Sequence, residues 1–584
     1  MSIFKDLWWY FKLEKKSYIT GVIVLIFVTL LTLIPPYVVG LIVDEIKAGS
    51  LTKDRLVYWG GILLAIGIIV YVLRFIWRIL LFGSAVRLGK LLRNRLYEQF
   101  TKMSPQFFHK RRIGDLMAHS TNDIQAIEGT AGEGVLTLVD SIAMGSLVVL
   151  MMAVAIDWQL TLIVLLPMPF MAWATSYYGT LLHQRFHKAQ AAFSELNDKV
   201  QENVSGVRVI KAFGQENYEV EAFKKQSQDV VDKNIAVARV DALFDPTISL
   251  IVGISFFLSI SVGSMFVVEE RMTLGQLTTF TMYLGLLIWP MLAFGWLFNI
   301  VERGRASYDR VKSLLDLQPD IVDRAGAIAH TPSGDIHCEI QSFVFPGKEN
   351  PDLQHIHFHL HQGQTLGIVG KTGSGKTALL RLFLREFDGV TGDIRMGATS
   401  IYDVTLDSLR SAIGYVPQDH FLFSTTIANN ISFARPEATM EEIRKAASIA
   451  CIDEDIQRFE EGYQTIVGER GVTLSGGQKQ RISIARAMLI NPEILILDDS
   501  LSAVDASTEE SIIRALKETR KDKTTIISAH RLSAIQHADL ILVLDDGEVV
   551  ERGRHEELML LEGWYASMYQ QQQLESVVTQ GGQK

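Results

Sequence analysis

The residues best suited to chemistry form one run, Gly370-Lys371-Thr372-Gly373-Ser374-Gly375-Lys376-Thr377. It fits the pattern GxxxxGK[ST], follows the strand-like LGIVG and precedes the helical pattern TALLRLFL. In that setting glycines let the backbone curl until its N–H groups converge on phosphate oxygens, at a helix N-terminus that favours anions. Lys376 is then expected at the β- and γ-phosphates of ATP, and the Thr377 hydroxyl at Mg2+. A second element, Ile494-Leu495-Ile496-Leu497-Asp498, reads as a buried strand ending in a carboxylate. Asp498 is the expected carboxylate on the metal side. Alone this element is a weak signal, since buried strands often end in Asp.

The third element narrows the class. Leu474-Ser475-Gly476-Gly477-Gln478 lies upstream of Asp498. With it the chain resembles an ATP-binding cassette exporter half-transporter over essentially its whole length. The resemblance implies that Ser475, Gly476, Gly477 and Gln478 contact the γ-phosphate of ATP held by the other cassette of a dimer. It makes Gln418, in YVPQDHFLF, the glutamine that senses Mg2+ and the membrane domain, and His530, in ISAHRL, the switch histidine near the γ-phosphate. Ser502-Ala503-Val504-Asp505 matches the family's D-loop, with Val504 where Leu is more usual. Glu469-Arg470-Gly471 resembles the segment that touches the coupling helices, which the resemblance puts near Ser120 to Ala126 and Gln215 to Val220. Phe345 stands where the family usually has a Tyr under the adenine. Stacking survives that change because the π-face remains, and a core role for the ring is the alternative.

One position departs from the family pattern. The residue after Asp498, where a Glu orients or deprotonates the attacking water, is Asp499. The charge is kept, but the reach is shorter by about 1.5 Å. A misplacement of about 1 Å can cost roughly 100-fold in rate. The site built on this chain's own phosphate loop is therefore expected to bind ATP and hydrolyse it weakly, with Asp499, Gln418 and His530 as its catalytic set. The pattern resembles the impaired-site subunit of bacterial heterodimeric multidrug exporters. The implied partner is a second half-transporter with its own Glu; a homodimer that tolerates Asp is the alternative.

These residues need a scaffold. The 584-residue chain is 48% hydrophobic, with a mean hydropathy of +0.19. Its apolar excess sits in the first half, in six runs at roughly 18–43, 57–82, 135–156, 159–181, 246–268 and 276–300. Each is long enough to span a bilayer. Short polar links join the first to the second, the third to the fourth and the fifth to the sixth. Long charged stretches with helical periodicity separate the second from the third and the fourth from the fifth. Lys and Arg crowd the N-terminal segment and the stretch 87–112, so the positive-inside rule puts both termini and the long hairpins in the cytoplasm. The aromatic segment 4–11 suits a short helix in the membrane interface, with a frayed tail as the alternative. From about Asp335 short β-like runs alternate with helical patterns. The fold expected is an all-α six-helix membrane domain of the type I exporter class (1–314), a linker (315–334), an α/β phosphate-loop nucleotide-binding domain (335–572) with a largely parallel sheet, and a disordered tail (573–584).

The remaining features bound the function. A net charge of −9 gives no basic surface for nucleic acid. The two cysteines, Cys338 and Cys451, sit in no CxxC or Cys/His cluster, so they read as reduced thiols and a structural zinc site is disfavoured. Arg74, Arg78 and Asp140 fall inside spans, where charges pair or face a polar path; pairing is the favoured reading. Met282, Trp289, Met291, Phe294, Trp296 and Phe298 crowd the sixth span, where they either pack between helices or line a permissive pocket. Export of drugs or other amphiphiles across a bacterial plasma membrane is the first expectation. Flipping of lipids or lipid-linked precursors is second, and a gated channel or non-transport ATPase a distant third. Membrane-then-cassette order disfavours an importer.

Overall fold

A computed structural model describes residues 2–468, 471 and 473–581. Glu469 and Arg470, expected at the coupling helices, lie outside the described residues, as does the end of the tail. The chain divides into two compact units, Met1–Lys102 with Lys110–Leu317, and Met103–His109 with Gln318–Lys584.

The first unit is helical. Its six long apolar helices are Lys15–Lys47, Lys53–Lys102, Ile113–Ile156, Trp158–Ser205, Glu216–Val268 and Leu274–Leu315. Each contains one expected span and most run well beyond it. The first is interrupted at Leu33, and Pro35 and Pro36 fall in the opening turn of the second piece, where a missing N–H costs no helix bond. The segment ahead of it is packed, not frayed. Ile3, Leu7 and Tyr10 are buried at helical spacing, and the Tyr10 hydroxyl donates to the Ser84 carbonyl at 2.5 Å. Helices approach closely at small residues. A Cβ on Gly40 would overlap the Thr279 hydroxyl, and one on Gly304 would overlap Thr130. Asp44 accepts from the Gly275 N–H (2.7 Å) and from the Thr273 hydroxyl (2.6 Å), tying the first helix to the N-cap of the sixth. Asp123 holds Ser307 (2.9 Å) and Arg310, so the third and sixth helices share one buried carboxylate.

Two expectations change here. The chain leaves helical geometry after Lys102, ahead of Pro105, whose ring disfavours helix at Ser104. The first hairpin therefore turns before the stretch Ser120 to Ala126, which lies within the returning helix; the second turns at Gly214 (φ 62°), beside Gln215. Neither Arg74 nor Arg78 makes an ion pair within 4.0 Å of Asp140 among the described residues, although the Arg74 charge acts on the Asp140 carboxylate. Arg78 lies instead over the Trp77 ring, 5.7 Å from its centroid.

The second unit carries two sheets. Among the described residues ten strands follow in order: β1 Ile336–Phe343, β2 Leu353–Leu360, β3 Thr365–Gly370, β4 Thr391–Met396, β5 Thr399–Ser400, β6 Ile413–Val416, β7 Ile494–Asp498, β8 Thr524–Ser528, β9 Leu540–Asp545 and β10 Glu548–Gly553. The larger sheet has the order β10-β9-β3-β8-β7-β6, parallel except at β10. β7 is buried on both faces, which is why it reads as an unbroken apolar run. Ile494 and Ile496 join the core shared with the smaller sheet, and Leu495 and Leu497 join the core under the helices Met440–Ile449 and Gly476–Leu489. The smaller sheet, β2-β1-β4-β5, is antiparallel and was not anticipated. The stretch read as a linker joins this unit: Ile321 is buried and Ile328 bridges to Val404. The last helix runs from Trp564 to Gly581, over the stretch that composition marked as disordered.

Candidate functional site

β3 delivers the chain to the phosphate loop and the helix Lys376–Phe383 carries it away. Two glycines make this turn possible. Gly370 (φ 149°) lies so close to β9 that a Cβ would strike the Leu544 carbonyl. Gly375 caps the helix in the left-handed region (φ 98°), with the Leu353 side chain 2.6 Å from where a Cβ would sit. The Lys376 ammonium folds back to donate to the Gly370 and Lys371 carbonyls, both at 2.8 Å. Burial pushes that ammonium below its usual range, and the charges of Asp499 and Asp498 oppose the shift. Ser374 is buried, and its hydroxyl has no partner among the described residues. Lys371, Thr372 and Gly373 are exposed at the rim. An orphan hydroxyl, a helix N-terminus with no side-chain cap and a lysine bonded to carbonyls fit a phosphate chain.

The strand order sets the other half of the site. β3 neighbours β8, and β8 neighbours β7, so Asp498 arrives beside the loop. Asp498 is 1% exposed; its carboxylate accepts from Thr377 Oγ1 (3.2 Å) and from the Tyr415 hydroxyl (3.3 Å). Burial raises its carboxyl above the ordinary value, against the pull of Thr377 and Tyr415. The Thr377–Asp498 pair is a donor set fit for Mg2+. Gln418 follows β6 in an exposed loop, and His530 follows β8 with an exposed side chain, its carbonyl accepting from Gln572 at 2.8 Å.

Asp499 takes a left-handed backbone, φ 47°. Its N–H donates to the Ser528 carbonyl (2.9 Å), and its own carbonyl accepts from Ser502 (2.9 Å) and Gln480 (3.4 Å). Asp and Asn tolerate this region better than longer residues, because their short side chains satisfy local backbone groups. Phe345 is half-buried. It meets Phe343 and Phe387 edge-on at 5.0 and 4.9 Å, and the Lys348 ammonium lies 5.5 Å from its centroid. It serves the core on one side and leaves the other to Lys348.

The signature run is built differently. Ser475 is the N-cap of the helix Gly476–Leu489, in a reciprocal box with Gln478 (3.0 and 3.3 Å). Ser475 and Gly476 are exposed. Among the described residues, no hydrogen bond links Ser475 to Gln478 with the phosphate loop of the same chain. A residue the sequence reading passed over provides the wiring inside this chain. Gln480, fully buried, donates to the Asp499 carbonyl and accepts from the Ala503 N–H at 3.1 Å. Glu509 was also missed; it is 3% exposed and takes Ser533 (2.8 Å) and Arg531 (3.4 Å), while Arg531 reaches the Val504 carbonyl. A buried acid on the helix that Asp505 caps was the available signal. His420, in the loop with Gln418, buries its Nδ1 without a partner among the described residues. Its imidazole is held below the ordinary value by burial, with Asp419 and Asp499 opposing.

A phosphate-loop cassette joined to six membrane-length helices defines an ATP-driven membrane transporter. Residues 18–291 match the family "ABC transporter transmembrane region", and residues 353–502 match "ABC transporter". The chain is 48% identical over 578 residues to "Multidrug resistance-like ATP-binding protein MdlA" of Escherichia coli (strain K12), covering 99% of this chain and 98% of that one. It is 36% identical over 482 residues to the "ATP-dependent lipid A-core flippase" of Syntrophus aciditrophicus (strain SB), covering 82% and 80%. Among solved structures it resembles a bacterial Atm1-family ABC exporter with ATP bound, at a TM-score of 0.79 and 25% identity, covering 96% of this chain and 98% of the other. The chain belongs to the ABC transporter family, as an exporter with fused transmembrane and ATP-binding domains. That cassette implies ATP binding and hydrolysis coupled to transport. The spans and the bacterial relatives make it a multi-pass protein of the bacterial plasma membrane, working as a dimer in lipid.

Proposed function

We propose that this chain is one half of a heterodimeric exporter of drugs or similar amphiphiles, with unequal ATP sites. Its own phosphate loop, Gly370 to Thr377, holds one ATP, and Phe345 carries the adenine. Thr377, Asp498 and Gln418 would hold Mg2+, which neutralises charge on the phosphates. Asp499 orients the attacking water weakly, and His530 faces the γ-phosphate. Ser475 to Gln478 close over ATP bound to the partner half-transporter, which brings a Glu of its own. Differential binding of ATP to open and closed cassettes supplies the work for alternating access. The lysine- and arginine-rich N-terminal segment favours both termini in the cytoplasm.

The observation that carries this reading is the contrast between two halves of one chain. The signature box is intact, exposed and unbonded to its own phosphate loop, while the position after Asp498 is one methylene short. Likeness to a multidrug-resistance-like protein over the full length supports amphiphile export, and the flippase relative supports a lipid as the second reading. The test is ATPase activity of the purified chain alone and with its genomic neighbour, each with drug-like dyes and with lipids. Low activity alone, restored by the partner and stimulated by dyes, is expected. Vigorous activity of the lone chain, unchanged by Asp499→Ala, overturns the unequal-site reading. Stimulation by lipid alone selects the flippase.

A further inference from the structure

The outer face of the small sheet carries a feature unrelated to the nucleotide. β2 alternates, with Ile356, Phe358 and Leu360 in the core and His357 and His359 toward solvent, and the exposed His361 follows directly after it. His337 of β1 lies directly opposite His359, and their rings stack at 4.1 Å. Asp335, just before β1, points one oxygen at both neighbouring histidines. Its Oδ2 is 2.9 Å from His361 Nδ1 and 3.3 Å from His359 Nε2. Its Oδ1 accepts the Gln362 N–H at 2.9 Å, and its backbone carbonyl accepts the Gly397 N–H at 2.7 Å, so side chain and backbone are each anchored. The three donor atoms lie within 4.8 Å of one another.

We propose that Asp335, His359 and His361 form a surface site for a divalent transition-metal ion, with water completing the shell. Metal bonds of about 2.0–2.2 Å in a tetrahedral site set the ligand atoms about 3.4 Å apart. Two of the three separations are already near that value, so side-chain rotation closes the set without backbone movement. Two imidazoles and one carboxylate select Zn2+, Cu2+ or Ni2+ over Mg2+ and Ca2+. The site is separate from the nucleotide's metal: His361 lies at the turn into β3, and the phosphate loop begins at the other end of that strand, about 17 Å away. The Gln362 amide supplies the outer hydrogen bond that orients the carboxylate, and the Gly397 amide holds the Asp335 backbone. A bound ion joins the start of β1, where the chain enters the cassette, to the end of β2.

The full-length chain, purified in detergent without a polyhistidine tag, is titrated calorimetrically with Zn2+ in excess Mg2+. Saturable binding of one ion per chain, indifferent to Mg2+, is expected. The double variant His359→Gln/His361→Gln and the single variant Asp335→Asn should each weaken it at least roughly tenfold. Both histidines are exposed, so the fold should survive, and unchanged ATP binding checks that it does. Cu2+ electron paramagnetic resonance should show coupling to two imidazole nitrogens, lost in the double variant. Binding of undiminished affinity in that variant, or no saturation in the millimolar range, overturns the proposal.

Discussion

Asp499→Glu is the sharpest perturbation of the proposed asymmetry. The added methylene advances the carboxylate by about 1.5 Å. The backbone cannot make up that distance for Asp, because the Asp499 N–H is tied to Ser528 and its carbonyl to Ser502 and Gln480. If about 1 Å of misplacement costs roughly 100-fold, the substitution should raise kcat by up to about 100-fold, near 2.7 kcal/mol of barrier. KM for ATP should hold, since Lys376 and Thr377 are untouched. There is an opposing term. At φ 47° Asp is the better-suited residue, and the left-handed penalty of about 1–2 kcal/mol is already partly present. Glu should add no more than about 1 kcal/mol, a fall in Tm of about 2–4 °C. The assay is Mg2+-dependent ATPase of the lone chain in nanodiscs, with thermal unfolding alongside. A kcat unchanged or lower, with normal ATP binding and a folded protein, refutes the reasoning that reach limits this site.

Three further outcomes follow from the same geometry. Gly375→Ala forces a Cβ into the left-handed region against Leu353, so it should cost at least about 1–2 kcal/mol of stability and weaken binding of a fluorescent ATP analogue more than tenfold. Ser475→Ala removes an N-cap worth about 1 kcal/mol; this chain's own ATP affinity should hold while ATPase of the mixed assembly falls, and equal loss of both would speak against a site shared across two chains. His420 is held below its ordinary value by burial. Between its folded and unfolded values the unfolded chain binds more protons, so its contribution is present above about pH 6.5 and lost as pH falls below that. Thermal melts of the whole protein should be more acid-sensitive than those of His420→Leu, and parallel curves would count against a buried neutral imidazole.

Much of the site is local in sequence. The phosphate loop, the run ending at Asp498 and the box opening at Ser475 each depend on a few consecutive residues and the backbone they dictate, so they could be read directly. The six spans were equally legible, because a bilayer demands contiguous apolar length. The resemblance put the first coupling helix near Ser120 to Ala126, past the turn; helical periodicity runs on through that stretch, and the proline at 105 marks the stop.

What the residue order alone determined, then, is the inventory: six membrane-length helices, a glycine-rich loop at the end of a strand, a buried strand ending in Asp498, and an Asp at 499. Tertiary structure decided what stands beside what. Strand order β3-β8-β7 brought Thr377 to Asp498, though 121 residues separate them. Packing buried Gln480 against Asp499 and Ala503, and turned Arg78 to Trp77 instead of Asp140. Pairing of β1 with β2 set His337 on His359 and put Asp335 beside His361. Such contacts arise only when segments far apart in the chain meet, and their register is set by which faces are buried, not by any local pattern.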